Sequence, residues 1–261
     1  QTTRALIRGV CIEGDAQVIF VDTPGIFRPR RRLDRAMVTT AWGGAADADV
    51  VAVLLDAKKG FDEAALGVFE RLKDVKRKKV LILNKVDLMR RENLLALTAM
   101  ANEKADFERT FMVSAMNGDG VDDVLKYFAG EMPPGPWLYP EDQISDLPMR
   151  QLAAEITREK CFLRLHDELP YESTVETEQW KDQKDGSVRI EQTIYVARES
   201  QKGIVLGKGG ETIKAISMAA RKELTEIAEK PVHLFLFVKV RENWSDDPER
   251  YREMGLEFPK G

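Results

Sequence analysis

A chain of 261 residues and 29.6 kDa has room for one large domain or two modest ones with buried cores, which excludes a staple-dependent miniprotein. Its 40 Lys and Arg against 44 Asp and Glu leave a formal charge of −4, so histone-like bulk attraction to phosphate is excluded and any nucleic-acid contact must come from a local basic surface. Two cysteines (Cys11, Cys161) and two histidines (His166, His233) are too few for a disulfide framework, a multi-cysteine zinc site or a His-rich metal centre, and they fit a reducing cytosolic setting. No apolar run approaches the ~18 residues of a membrane span. The opening QTTRALIRGV lacks the apolar stretch of a signal peptide and does not begin with Met.

Apolar runs at 18–21, 50–55, 80–83 and 111–113 each end in a polar or glycine-bearing loop, and they predict buried parallel strands. Segments 64–72, 92–100 and 121–128 carry apolar residues at three- and four-residue steps, the last after a Gly118/Gly120 turn, and predict helices between those strands. Strand and helix in alternation mean an α/β sheet whose ligand loops lie at the carboxyl ends of the strands. Five of the 11 prolines fall within 133–148 (PPGPWLYPEDQISDLP), where no period survives. The expected organisation is a first domain over 1–132, a linker over 133–148 and a second domain over 149–261. The second half reads as a helix at 150–165, strands at 173–179 and 188–196 around an Asp185-Gly186 turn, a glycine-rich turn, a helix at 211–227 and a strand at 232–240. That order, α-β-β-α-β, predicts a small α+β domain.

Three strand ends carry chemistry. The run VIFV ends in Asp22-Thr23-Pro24-Gly25, where a carboxylate can hold magnesium through its water shell and a glycine lets a backbone N–H approach a terminal phosphate. The same residues are common in turns, so this tetrapeptide alone decides nothing. The run VLIL ends in Asn84-Lys85-Val86-Asp87. An Asp at that place can accept two hydrogen bonds from the N1–H and exocyclic amine of guanine, a pattern adenine does not offer, and a mismatch would leave the carboxylate unpaired. Asn84 can bond the base and tie neighbouring loops together, and the aliphatic stem of Lys85 can lie over the base plane. The run FMV ends in Ser114-Ala115, where a small residue lets a backbone N–H reach the guanine carbonyl oxygen. That dipeptide has value only through its position.

These loops, about 60 and about 30 residues apart, have the spacing of a guanine-nucleotide-binding domain, and the chain resembles the GTPases of the translation-factor class. With the second domain behind it, the chain is similar to the Era family, which joins a GTPase domain to a KH domain. The likeness covers essentially the whole length, including Gln1-Thr2-Thr3-Arg4, similar to that family's first switch segment, and YPEDQISD at 139–146. It implies GTP and GDP as ligands with Mg2+, held by Asp22 and by Thr3 or, as second choice, Thr2. It further implies binding to the tail of small-subunit ribosomal RNA, assistance in assembly of the small ribosomal subunit, a monomer without DNA affinity, and a cytoplasmic place with peripheral association at the inner membrane.

Two departures qualify the resemblance. No G-x-x-x-x-G-K-S/T loop exists in the sequence, and the segment from Gly203 to Lys208 has the wrong spacing and is followed by Gly209 instead of Ser or Thr. The chain therefore reads as N-terminally incomplete, and the expectation is that these residues alone bind nucleotide poorly, without the lysine and backbone nest that hold the β- and γ-phosphates. Position 26, after the DTPG loop, is Ile26, where a water-orienting glutamine stands in Ras-like enzymes, so slow hydrolysis and a different positioning group are expected.

The second domain's candidate site is a G-x-x-G turn. Ile204-Val205-Leu206 closes one helix, Gly207-Lys208-Gly209-Gly210 turns, and Glu211-Thr212-Ile213-Lys214 opens the next. Glycines let a sugar-phosphate backbone lie against the turn, the new helix supplies N–H donors, and Lys208 can meet a phosphate. Lys202 and Gly203 precede the turn, and Lys202, Lys214, Arg221 and Lys222 make the local basic surface, with Glu199 and Glu211 in the same stretch. The basic runs at 28–35 and 71–79 read as solvated faces. Trp137, Trp180 and Trp244 read as core or linker packing, His166 and His233 as packing residues, and the methionines as core filler. The function expected is a GTP-driven RNA-binding switch, in which GTP and magnesium order Thr3 and the DTPG loop. The alternative is a constitutive RNA-binding protein on a nucleotide-incompetent GTPase-like scaffold. A metabolic nucleotide kinase explains neither the NKVD loop nor the KH half.

Overall fold

A computed structural model describes residues 4, 6–23, 29, 31–143, 145–242 and 247–258. The chain divides into two units, Ala5–Asp146 and Leu147–Lys260, the latter joined by Gln1–Arg4.

The first unit opens with an antiparallel hairpin of β1 (Ile7–Glu13) and β2 (Ala16–Asp22). Gly14 takes φ +58 in the two-residue connection, a conformation that costs glycine nothing. This corrects the expectation for 18–21: the run is a strand, but it pairs antiparallel with a β1 that the sequence pattern did not reveal. Gly9 of β1, paired with Phe20 of β2, weakens the strand signal of its segment in the sequence. Val18 is buried among Val80, Phe111, Val124 and Phe128, and Phe20 sets its ring edge-on to Phe128 at 5.6 Å.

Then follow α1 (Arg32–Asp47), β3 (Val50–Asp56), α2 (Glu63–Leu72), β4 (Lys78–Asn84), α3 (Arg91–Lys104), β5 (Arg109–Val113) and α4 (Val121–Glu131). Asp62 caps α2 by accepting from the Ala65 N–H at 2.8 Å, which satisfies one of the donors that a helix start leaves free. β3, β4 and β5 form a parallel sheet in that order, with β4 central. Val80, Leu81 and Leu83 are fully buried. Leu81 and Leu83 join Val51, Val53 and Leu55 against Phe69, Leu72, Leu94 and Leu97, whereas Val80 and Ile82 face Phe111, Val113 and α4. β3 departs from the expected burial on both faces. It is one of the two outer strands, and among the described residues Ala52 and Leu54 on its second face are exposed, Leu54 by 65%.

The proline-rich stretch is tied to the hairpin as far as Asp146. Trp137 Nε1 donates to Asp15 O at 3.1 Å, and Gln17 exchanges three bonds with the backbone of Leu138 and Tyr139. The Asp146 carboxylate accepts from the Arg8 backbone N–H at 3.2 Å and its guanidinium at 2.7 Å. An extended segment outside a sheet leaves its backbone groups in need of partners, and the Gln17 amide supplies both polarities at once.

The second unit has α5 (Met149–Arg164), β6 (Ser173–Asp182), β7 (Val188–Val196), α6 (Glu199–Leu206), α7 (Glu211–Ala228), β8 (Val232–Val240) and α8 (Pro248–Glu253). Its sheet runs β6-β7-β8, antiparallel then parallel. The core gathers in two clusters, one of Cys161, Ile194, Val196, Val205 and Ile216 and one of Ile190, Leu224 and Val232, each with residues from α5, α7 and the sheet. Burial pushes the Cys161 thiol up to about 12. Arg4 is buried in this unit, donating to Ser173 O at 2.7 Å and Pro170 O at 2.8 Å.

The sequence expectations for histidine and methionine are corrected. His166 and His233 are exposed, and of the methionines only Met37 is deep in the core, whereas Met100, Met112, Met116, Met149 and Met218 are exposed. Trp180 packs part-buried beside the Ile190 and Leu224 cluster, as a packing residue, and Trp244 lies outside the described residues. No helix among the described residues is long and apolar enough to cross a membrane.

Candidate functional sites

Parallel pairing in register brings three strand ends into one row: Asp56 stands opposite Asn84, and Asn84 opposite Val113. The loops that follow therefore emerge side by side. Asn84 ends β4 with its side chain turned back on the backbone, where Oδ1 accepts from Lys85 N at 2.7 Å and from Ala115 N at 3.1 Å. Its main-chain carbonyl accepts from Ala57 N at 2.9 Å. One residue thus joins the loops after β3, β4 and β5. The Ala115 N–H, expected as a donor to a base carbonyl, is engaged with Asn84 here.

Lys85 takes the left-handed conformation, φ +65 and ψ +36, turning the chain abruptly into a 3-10 turn at Val86–Leu88. Its ammonium lies 2.7 Å from Asp56 Oδ2. Asp87 sits in the 3-10 turn with its side chain exposed. Ser114 is buried, and its Oγ has no hydrogen-bond partner among the described residues. The loop after β5 is held by Ser114 N to Asp119 O at 3.0 Å and by Asn117 and Gly118 N–H groups on Ser114 O. A Cβ on Gly120 would stand 2.5 Å from Met112 O, so only glycine lets α4 start this close to β5.

Asp22 closes β2 on the separate antiparallel ribbon, with its side chain exposed, and Thr23 follows half-buried beside α1. A Cβ at Gly44 of α1 would lie 3.5 Å from Thr23 Cγ2. Thr3, Pro24, Gly25 and Ile26 lie outside the described residues, as does Thr2. Among the described residues no three His, Cys, Asp or Glu side chains gather as a metal site. A magnesium ion held by nucleotide phosphates, water and one carboxylate requires none, so the donor chemistry of Asp22 with a threonine hydroxyl fits that ion.

Sequence reasoning missed Asp56. Its carboxylate accepts from Lys58 N at 3.0 Å and Lys59 N at 3.2 Å through Oδ1, besides the Lys85 ammonium on Oδ2. That ammonium, more than the backbone N–H groups, holds the Asp56 carboxyl below the usual range against a smaller opposing effect of burial. The signal was present, because Asp56 ends the apolar run VVAVLL as Asp22 and Asn84 end theirs.

In the second unit α6 stops at Gly207, whose φ +73 and ψ +170 no residue with a Cβ adopts readily. A Cβ there would lie 2.3 Å from Thr212 Oγ1 and 2.8 Å from Thr212 N. Gly209 and Gly210 have φ +62 and +81 with open space around them. Lys208, Gly209 and Lys214 are exposed, as are Gly203 and Ile204 just before the turn. Lys202 pairs with Glu199 at 3.2 Å. The turn therefore presents bare backbone flanked by two lysines and one apolar side chain, the surface a sugar-phosphate chain requires.

Known proteins match this arrangement along the whole chain. Residues 168–245 match the KH domain family, and residues 11–130 match a family described as ethanolamine utilisation and propanediol utilisation. The protein called GTPase Era in Rhizobium meliloti strain 1021 is 70% identical over 260 residues, covering 100% of this chain and 83% of that protein. GTPase Era of Brucella suis biovar 1 is 70% identical over 259 residues, 99% of this chain and 83% of that protein. Among solved structures, Era in complex with MgGDPNP and nucleotides 1506–1542 of 16S ribosomal RNA superposes with a TM-score of 0.88 at 34% identity, covering 97% of this chain and 87% of that one. Era of Aquifex aeolicus bound to GDP.AlF4- gives the same TM-score at 35% identity and the same coverage. The paired strand-end loops, the G-x-x-G turn and this full-length similarity together establish that the chain belongs to the Era family of GTPases.

Proposed function

We propose that the protein is a GTP-hydrolysing switch that binds GTP and GDP with Mg2+, holds the tail of small-subunit ribosomal RNA through its KH unit, and assists assembly of the small ribosomal subunit. The observation that carries the nucleotide half is the Asn84 side chain bonded to both Lys85 N and Ala115 N, because it holds the two loops of a base pocket at fixed separation. Relatives of the same architecture have been solved with MgGDPNP and 16S ribosomal RNA and with GDP.AlF4-.

In this reading the Asp87 carboxylate accepts the N1–H and exocyclic amine of guanine. The Lys85 stem covers the base, Val86 spaces the two, and Ser114-Ala115 close the opposite edge. Magnesium neutralises charge that develops on the phosphates. Asp22 and Thr3 would hold it, and the segment Thr23-Pro24-Gly25 would bring a backbone N–H to the terminal phosphate. Ile26 offers no hydrogen bond to an attacking water, so hydrolysis is slow until another group positions that water. The RNA backbone lies on Gly207, Gly209 and Gly210 with Lys208 and Lys214 on its phosphates. Lys202, Gly203 and Ile204 form the approach to the turn. The family likeness extends the reading to a cytoplasmic monomer with peripheral association at the inner membrane and no DNA partner.

The test is Asp87→Asn in the full-length protein. Exchanging a double acceptor for one acceptor and one donor should transfer preference from guanine to xanthine nucleotides, measured by competition against fluorescent GDP. Unchanged guanine preference would sink the base-pocket assignment.

A further inference from the structure

The Lys85 side chain has four rotatable bonds, and a lysine free to sample them must be ordered before its stem can cover a base. In the structure it is already ordered by Asp56, a residue no motif includes. Asp56 ends β3 one strand away from Asn84 and in register with it. Its two oxygens divide the work. Oδ1 accepts from Lys58 N and Lys59 N and closes the turn after β3, and Oδ2 is left for the Lys85 ammonium at 2.7 Å. The carboxylate is mostly shielded, at 22% side-chain exposure, whereas Lys85 is 51% exposed, so the acid is the fixed partner and the lysine the one being placed. The left-handed backbone of Lys85 turns it sharply out of the strand.

Resting on the guanine-binding reading above, we propose that Asp56 is a positioning residue for nucleotide recognition: it holds the Lys85 ammonium so that the lysine stem is set in advance for the base. Asp56 touches no part of the nucleotide in this scheme. Its contribution is preorganisation, which raises affinity by reducing what must be ordered on binding.

Asp56→Asn separates the two tasks, because the amide keeps an acceptor for Lys58 N and Lys59 N and removes the charged acceptor for Lys85. Asp56→Glu keeps the charge and changes only its reach. Dissociation constants for fluorescent GDP would be measured on the full-length protein for wild type, both variants, Lys85→Met and the Asp56→Asn/Lys85→Met double variant. The expected result is about two- to fivefold weaker binding for Asp56→Asn, the size of one solvent-accessible ion pair, with recovery of most of it in Asp56→Glu. In the Lys85→Met background Asp56→Asn should have no further effect. Wild-type affinity in Asp56→Asn would overturn the proposal. So would an equal loss in the Lys85→Met background, which would mean that Asp56 acts through its turn and not through the lysine. If the wild-type protein itself failed to bind GDP, the guanine reading would fall and this inference with it, a result distinct from the other two.

Discussion

Replacing Gly207 by alanine tests the G-x-x-G turn at the point where geometry leaves least freedom. The added Cβ would meet Thr212 Oγ1 at 2.3 Å, Thr212 Cβ at 2.9 Å and the Thr212 backbone nitrogen at 2.8 Å. A rotation of the Thr212 side chain relieves the first contact. It does nothing for the backbone nitrogen, which belongs to the first turn of α7. The backbone angles of Gly207 add about 1–3 kcal/mol for any residue with a Cβ. With displacement of the helix start included, the total is about 2–4 kcal/mol. Gly209→Ala is the internal control, because it has φ +62 but open surroundings and should cost only about 1–2 kcal/mol. Hydrogen exchange of the β7 and α7 amides read by mass spectrometry reports this unit by itself. Protection there should fall about thirtyfold to several hundredfold in Gly207→Ala and about tenfold in Gly209→Ala. Equal losses in the two variants, or a Gly207→Ala loss under about fivefold, would refute the steric argument.

Other consequences are directly measurable. Replacing Lys208 and Gly209 together by Asp puts negative charge on the turn at a φ that Asp tolerates, so single-stranded RNA affinity should fall by at least about tenfold with GDP binding unchanged; retained RNA affinity would remove the turn from the RNA surface. Asn84→Ala strips the acceptor from Lys85 N and Ala115 N, and guanine-nucleotide affinity should fall about tenfold or more, with an unchanged dissociation constant counting against the loop-joining role. Native protein treated with iodoacetamide should take one label, on exposed Cys11, and two when unfolded, because Cys161 is buried with its thiol pushed up to about 12. The same shift carries a sign for stability. The unfolded thiol ionises near 9.0 and the folded one near 12, so the unfolded chain holds fewer protons between those values and the KH unit loses stability as pH rises through that window; urea midpoints rising from pH 9 to pH 11 would contradict this.

What the residues alone determined was the chemistry at strand ends. A short apolar run such as VLIL reads as a strand with its polar residues at the strand's carboxyl end, so the NKVD loop was readable without coordinates, and the G-x-x-G turn was readable from its glycines between two helical segments. Burial direction and pairing partners were not readable in the same way, because a strand pattern records how apolar a segment is and not what lies beside it. Residues 18–21 were legible as a strand, but their antiparallel pairing with β1 depended on a turn at Gly14 and a partner whose own pattern is broken by Gly9. β3 looked buried on both faces, and among its described residues only Val51, Val53 and Leu55 are buried, on the face that meets Phe69, Leu72 and Leu94. The proline-rich stretch read as a linker from its composition, and the bonds that Gln17 and Arg8, more than 120 residues upstream, make to it were not legible there. Asp56 shows the same limit at the site itself: its position at the end of an apolar run was in the sequence, but its bond to Lys85 exists only because parallel strands in register set residues 29 apart within 2.7 Å.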